Sequence, residues 1–338
     1  IIQEVIRQMD RPFVDFEDEI VKSLQDLVGS SFDTLIGLIT VFGSTLSIVV
    51  LVAIIFWCVD KRLALILAFT TAISEFTNDL LKGIFGFVRP YQHNSEIRPV
   101  KDFIGELPED YSFPSGHSQS TGAFCSSAYL MTRNRIIGLF GMIMIVIVPL
   151  TRILLGVHYL SDVIVGAFLG VCFGLGVNYY LPKIESILSN IETQKDSEQH
   201  LLRLSCLIVA ITIIGYCIAV TIIALAGNDI ILADVATIAG IIAGLSVGAM
   251  LEHNYVKLPI DSSNKQLFLF RAIIGLILVL ILYFGLTGVV GLIVTEEEFP
   301  IYPIAQYIRY FLMSVLAVAG ISFIFAKIEP KLGLRDIQ

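Results

Sequence analysis

Apolar and polar positions alternate along this chain on two length scales. Over residues 1–32 the period is short. Ile2, Val5, Ile6 and Met9 form one helical stripe, and after Pro12 a second runs through Phe13, Phe16, Ile20, Leu24, Leu27 and Val28, the spacing of an amphipathic helix lying at an interface. From residue 33 the apolar runs lengthen to the roughly 20 residues that a spanning helix requires. They predict spans near 34–58, 63–81, 118–132, 136–155 and 159–181, and a polar linker from Lys183 to His200. Four more follow near 201–226, 230–251, 267–292 and 309–326, with Glu296, Glu297 and Glu298 ahead of the last. The expected fold is all-α, a polytopic integral membrane helix bundle of about nine transmembrane helices. The expected organisation is an interfacial arm (1–32), a core (33–182), a polar cytoplasmic linker (183–200) and a C-terminal four-helix membrane region of unassigned role (201–338).

Composition supports a membrane protein. Of 338 residues, 56% are hydrophobic and 15% charged, against roughly 25% charged in soluble domains, and the mean hydropathy is +0.82. A net charge of −8 lacks the basic surface that nucleic acid requires, so membrane lipids, not nucleic acid, are the expected partners. Cys58, Cys125, Cys172, Cys206 and Cys217 all fall inside apolar runs, where they are expected to act as small buried hydrophobes. The first residue is Ile1 and not methionine, which suggests removal of something ahead of it; with no cleavable signal to read, insertion is expected to rely on internal spans. Threading nine spans puts the arm and loops 82–117, 152–158, 227–229 and 293–308 on one side, and 13 of the 22 basic residues on the other. By the positive-inside rule that other side is cytoplasmic. Oligomeric state leaves no mark in the sequence.

Three short elements carry candidate chemistry. Lys82 closes the second predicted span and Arg89-Pro90 follows seven residues later, so two fixed cations stand at the membrane mouth, where they either snorkel to headgroups or hold an anion. Pro114-Ser115-Gly116-His117 precedes a helical run; free amides at a helix N-terminus cradle anions, and a histidine there can give up a proton near neutral pH. Arg152 is followed by His158 and, four residues on, by Asp162, a spacing that puts imidazole and carboxylate on one helix face. Such a pair either glues two helices or fixes a tautomer and frees the other ring nitrogen to attack. Loop alternation brings all three elements to the same side. Together they describe a phosphoryl-transfer site, where catalysis is mainly positioning and charge neutralisation.

These residues resemble the type 2 phosphatidic acid phosphatase superfamily, which includes lipid phosphate phosphatases and shares its active site with soluble vanadium haloperoxidases. Its pattern is Lys, six residues, Arg-Pro; Pro-Ser-Gly-His; and Ser-Arg, five residues, His, three residues, Asp. Residues 82–162 reproduce it, with Thr151 in place of the serine before Arg152. The resemblance implies His158 as nucleophile forming a phosphohistidine, Asp162 as its orienting partner, and His117 as general acid. It assigns Lys82, Arg89, Ser115, Gly116 and Arg152 to phosphate binding, and requires no metal and no cofactor. No His, Cys and carboxylate cluster with zinc or magnesium spacing is visible in the sequence either. Nothing specific is matched over residues 183–338.

A substrate that is itself a membrane lipid accounts for a site at the bilayer surface, so a lipid phosphate or diphosphate monoester, hydrolysed at the extracytoplasmic face, is the expected substrate. Glucose-6-phosphatases of the same superfamily are similar in their span arrangement and in Arg89-Pro90-Tyr91, which leaves a sugar phosphate open. A non-hydrolytic transporter using the same pocket is the third reading. Among remaining polar residues, Asp79 is expected to pair with Lys82 and Glu75 to bond within the bundle. Asp102, Glu106, Glu109 and Asp110 read as a solvated charge run. Phe103, Tyr111 and Phe113 suit the interface or a lipid entrance, and His93, His200 and His253 read as spectators.

Overall fold

A computed structural model describes residues 13–101, 107–108, 110–192, 197–226, 231–261, 263–295 and 301–334. The stripe at Ile2, Val5, Ile6 and Met9, together with Asp102, Phe103, Glu106, Glu109 and Glu296–Glu298, lies outside the described residues. Among those described there is no strand. The helices are α1 (Val14–Val28), α2 (Asp33–Thr40), α3 (Thr45–Cys58), α4 (Lys61–Phe85), the single turn α5 (Pro90–His93), α6 (Gly116–Thr132), α7 (Arg135–Leu154), α8 (Leu160–Glu192), α9 (Ser197–Ala226), α10 (Leu232–Leu251), α11 (Lys265–Gly291), α12 (Ile301–Val315) and α13 (Ile321–Ile328), the last two joined by a π-helical turn.

The chain is an integral membrane protein. Among the described residues seven helical segments are long and apolar enough to cross a bilayer, or eight if Val14–Val28 and Ser30–Gly43, bent by 77° to one another, make one span. The expected count of nine is not reproduced, because two predicted spans come out short. The run 34–58 breaks at Ser44, whose hydroxyl donates to the Val41 carbonyl (2.7 Å) and accepts from the Ser47 N–H (3.3 Å). This local bonding competes with a continuous helix and leaves α3 with 14 residues. Helix α6, with 17 residues, buries Ser118, Gln119, Ser120, Thr121 and Ser127, so its polar side faces protein and not lipid. Three cysteines also depart from expectation: Cys58 and Cys125 are buried, but Cys172, Cys206 and Cys217 are exposed on helical faces.

The chain divides into two compact units, one of Ile1–Ile48, Ile73–Tyr179 and Ala219–Leu232, the other of Val49–Ala72, Tyr180–Ile218 and Ala233–Gln338. In the first, α8 meets α6 through small residues. A Cβ added at Gly166 would lie 2.6 Å from the Ser115 carbonyl oxygen, and one at Gly170 would lie 2.1 Å from that of Gln119. Opposite them, a Cβ at Gly122 would lie 2.7 Å from the Ala167 carbonyl oxygen. Glycine at four-residue spacing is what permits such close backbone approach in membranes, and here it presses the helix that follows His158 against the one that follows Ser115. In the second unit Trp57, Leu258 and Phe325 anchor an apolar core. There Arg271, 1% exposed, donates to Glu329 through Nε (2.7 Å) and Nη2 (2.8 Å) and to the Trp57 carbonyl through Nη1 (2.7 Å).

The N-terminal helix has its polarity inverted. Phe13, Phe16 and Leu27 are exposed, as an interfacial helix requires, while Glu17, Asp18, Val21 and Gln25 are buried. Those polar groups serve loops of the first unit. Glu17 accepts from Ser161 N (2.8 Å) and Oγ (3.2 Å), Asp18 bonds His93 Nδ1 (2.9 Å), and the Gln25 amide donates to the carbonyls of Arg98 (2.7 Å) and Leu154 (3.0 Å). His93 thus has a partner in the N-terminal helix, away from the motif residues.

Replacing Gly170 by leucine is expected to lower stability in detergent by about 1–3 kcal/mol, the usual cost of overpacking. Gly176 has nothing within 4 Å of an added Cβ, so Gly176→Ala should leave the unfolding midpoint unchanged in the same thermal scan.

Candidate active site

Four stretches of the first unit converge on one polar centre. Helix α4 carries Lys82 in its last turn and ends at Phe85, and a short irregular stretch leads to Arg89, the N-cap of the turn of α5. Residues Ser112–Ser115 lead into α6. Arg152 stands in the last turn of α7, and the turn Leu155–Tyr159 then carries His158 into α8. That turn depends on Gly156: its φ is +71°, and an added Cβ would lie 2.6 Å from the Arg98 carbonyl oxygen, so only glycine suits both demands. Lys82, Arg89, Ser115, Arg152, His158 and Asp162 are all buried.

Arg89 organises the centre. Its Nε donates to the Asp110 carbonyl (2.9 Å), Nη1 to the Val157 carbonyl (2.8 Å), and Nη2 to Asp110 Oδ1 (2.5 Å) and the Tyr111 carbonyl (3.2 Å). Nη1 also lies 3.1 Å from His158 Nε2. Since guanidinium has donors only, Nε2 must be the acceptor, which puts the ring proton on Nδ1. That nitrogen faces Asp162 Oδ2 at 3.4 Å. Asp162 is held in turn: Oδ2 accepts from Ser112 Oγ (2.5 Å) and the Tyr159 N–H (2.8 Å), and its carbonyl accepts the Ser115 N–H (3.1 Å). Imidazole and carboxylate thus face one another, as the four-residue spacing predicts, and Nε2 is turned toward a cation.

At the start of α6, Ser115 is the N-cap and its hydroxyl accepts from Ser118 Oγ (3.0 Å). An added Cβ at Gly116 would meet nothing closer than Asn78 Oδ1 at 3.4 Å, so the protein itself does not demand glycine there. Behind this turn a polar ladder ties α6 to α4. Asn78 donates to Gln119 Oε1 (2.9 Å) and the Pro114 carbonyl (3.3 Å), Gln119 donates to the Ser74 carbonyl (2.7 Å), and Ser120 donates to Glu75. Glu75 thus bonds within the bundle, as expected. Arg152 Nη1 reaches Thr40 Oγ1 (3.3 Å), and the Thr151 hydroxyl turns back to the Val148 carbonyl (2.6 Å).

Burial, then the positive charges of Arg89, Arg152 and Lys82, hold the His158 ring well below the ordinary histidine value. For His117 the causes are burial, then Arg152, His158, Lys82 and Arg89, with the same direction. Both imidazoles are neutral in the free protein at pH 7.

Sequence reasoning missed three groups. Asp110, taken for solvated charge, is ion-paired to both Lys82 and Arg89. Burial raises its carboxyl pKa, but those two cations more than offset this and keep it below the carboxylate range. Ser112 and Asn78 support the centre without belonging to any motif, and only their nearness to Pro114-Ser115 and Lys82 hinted at them. Phe113 joins Phe85 (5.0 Å between centroids) and Phe87 (5.8 Å) in a half-buried aromatic group.

A helical membrane protein that gathers three cations, a helix N-terminus and a His–Asp pair at the ends of its spans has an anion site of the phosphoryl class. Residues 63–186 match the family model described as PAP2 superfamily, and residues 236–333 match that described as PAP2 superfamily phosphatase, transmembrane extension. The chain carries a PAP2 superfamily domain followed by the superfamily's transmembrane extension, which bears out the resemblance read from the motifs and adds the C-terminal region to it. Among curated proteins it is similar to a lipid A 1-phosphatase of Rhizobium johnstonii, 37% identical over 32% of this chain and 44% of that protein. It is also similar to an undecaprenyl-diphosphatase of Sulfolobus acidocaldarius (30%, over 32% and 51%). A decaprenylphosphoryl-5-phosphoribose phosphatase of Mycobacterium tuberculosis is 49% identical over 20% of this chain and 37% of its own. The chain thus spans about half or less of the length of these relatives.

The tautomer assigned to His158 can be observed directly. In protein labelled with 15N-histidine, one of the five rings should show a protonated Nδ1 and a bare Nε2, unchanged as the pH falls through about 6.5, where an unperturbed imidazole titrates. A ring with the proton on Nε2, or titration of all five near pH 6.5, would contradict the geometry.

Proposed function

We propose that this chain is a phosphoric monoester hydrolase of the membrane. It cleaves a lipid phosphate or diphosphate monoester, without a metal, through a phosphohistidine at His158, and its core lies within residues 33–182. The observation that carries this reading is the orientation of His158: Nδ1 faces Asp162 and the Nε2 lone pair meets the Arg89 guanidinium, where phosphate oxygens would be held.

In the first step Nε2 attacks phosphorus in line with the ester oxygen. Lys82, Arg89, Arg152 and the amide end of α6 at Ser115 and Gly116 neutralise the equatorial oxygens. The P–O bond breaks as the leaving oxygen takes a proton from His117. In the second step His117, now neutral, accepts a proton from water; the hydroxide attacks, the P–N bond breaks, and inorganic phosphate leaves. His117 is neutral in the free site, so its proton must arrive with substrate. A phosphate monoanion, whose second pKa is about 6, can bring that proton. Once bound, the phosphate charge offsets the cations that had depressed His117.

A lipid substrate is supported by the position of the site at span ends, by the aromatic group of Phe85, Phe87 and Phe113, and by relatives whose names refer to lipid A, undecaprenyl diphosphate and a decaprenyl-linked phosphate. The extracytoplasmic orientation is supported by the charge bias of the loops. That bias widens once the site cations and buried Arg271, whose partners lie inside the protein, are set aside.

Purified protein in EDTA should release phosphate from phosphatidate, an isoprenyl diphosphate or a sphingoid base phosphate faster than from glucose 6-phosphate, and His158→Ala should reduce release by about 10³-fold or more. No release from any of them by folded protein would favour a binding or transport role. His117→Ala should slow phosphatidate more than an activated aryl phosphate, since only the poor leaving group needs a proton; equal losses would remove its acid role. For orientation, Lys101→Cys in a chain otherwise lacking exposed cysteines should react with an impermeant maleimide on intact cells, and reaction only after permeabilisation would reverse the assigned topology.

A further inference from the structure

The cations of the centre already hold an anion. Asp110 Oδ1 accepts from Arg89 Nη2 at 2.5 Å, and the same carboxylate is ion-paired to Lys82. Its side chain keeps 23% exposure, against 10% for Lys82 and 2% for Arg89, so Asp110 stands on the open side of the two cations. A guanidinium has five N–H bonds, and Arg89 makes five contacts: the carbonyls of Asp110, Tyr111 and Val157, His158 Nε2, and the Asp110 carboxylate. The three carbonyls are fixed by the backbone. Only the contacts to His158 and to the Asp110 carboxylate can be given up to a ligand.

We propose that Asp110 is a specificity-determining residue of this site, a built-in carboxylate that an incoming phosphate must displace from Lys82 and Arg89, and that this exchange selects terminal phosphates against phosphodiesters. The proposal rests on the phosphatase reading above. A monoester monoanion that passes its proton to His117 lies on the cations as a dianion, in place of a carboxylate that carries one charge, so the exchange gains attraction to Lys82, Arg89 and Arg152. A phosphodiester carries one charge, as the carboxylate does, and it has no ionisable oxygen with which to share a proton with His117. Its exchange with Asp110 gains nothing. In a bilayer the phosphodiesters of ordinary phospholipids lie at the same depth as the substrate phosphate and in large excess, so a site made only of cations and amides would be filled by them. Occupation by Asp110 lowers the apparent affinity of every anion by the fraction of molecules in which the carboxylate is displaced, and only the more highly charged anion overcomes it.

The test is titration calorimetry of the purified full chain in an uncharged detergent at constant ionic strength, with inorganic phosphate and with dimethyl phosphate as probes, comparing the unaltered protein with Asp110→Asn and Asp110→Ala. Asparagine keeps the shape of the side chain and alanine removes it, so agreement between them separates loss of the charge from loss of packing. The unaltered protein should bind phosphate and show no measurable binding of dimethyl phosphate. Both variants should bind phosphate about 10-fold or more tighter and should now bind dimethyl phosphate. Phosphate bound no more tightly by the variants would overturn the proposal and leave the phosphatase reading standing. Tighter phosphate with dimethyl phosphate still excluded would overturn the selection against diesters. Absence of phosphate binding by all three proteins would overturn the phosphatase reading and the proposal with it.

Discussion

A guanidinium buried at the edge of a membrane must hand all of its N–H groups to protein acceptors, because the desolvation of an unsatisfied charge costs several kcal/mol or more. Arg89 meets that demand with carbonyls from two separate loops, the imidazole of His158 and a carboxylate. The paths of residues 110–112 and 157–158 follow from it. Each loop is fixed to the same cation, so the histidine and the residues that lead into the helix at Gly116 come to lie side by side although about 40 residues of chain separate them.

The same requirement explains why so much polar material lies inside. Asp162 accepts from Ser112, Tyr159 and, through its carbonyl, Ser115; together these bonds fix the carboxylate that faces His158 Nδ1. Outside them stands the N-terminal helix, whose Glu17 receives the Ser161 N–H at the start of α8 while Gln25 closes on the carbonyls of Arg98 and Leu154. An exposed carboxylate at a helix N-terminus is worth a few tenths of a kcal/mol to about 1 kcal/mol; Glu17, buried, falls in the geometry where that interaction is stronger. The helix thus offers Phe13, Phe16 and Leu27 outward and Glu17 and Asp18 inward, tying itself to the loops that flank the polar centre.

The second unit buries charges of its own. Arg271 and Glu329 form a buried two-bond pair completed by the Trp57 and Pro259 carbonyls, and Lys61 pairs with Glu252. The acceptors of Arg271 are two backbone carbonyls and a fully buried carboxylate. In the first unit the carboxylate on the cations, Asp110, keeps 23% exposure, where Glu329 has none.

How much of this was legible beforehand depended on the range of the interaction. Helical character, membrane insertion and the pairing of His158 with Asp162 are local: apolar runs about 20 residues long and a gap of four residues determine them wherever the rest of the chain goes. The motif residues could be named for the same reason, since a Lys at a span end or a Gly-His at a helix start has its chemistry written in its neighbours. Long-range pairings could not. Asp110 looked like one more acid in an acidic loop until the fold set it against Lys82 and Arg89, and nothing in the sequence singled out Ser112, which meets Asp162. Glu17 and Gln25 looked like the wet side of an amphipathic helix until loops 90–98 and 154–161 covered them. Ser44 cut an apolar run that its composition would have carried through. The sequence by itself determined which segments are helical and which motif residues to look for; the tertiary structure alone decided which charges meet, because burial and distance, not residue type, determine whether a carboxylate faces water or a cation.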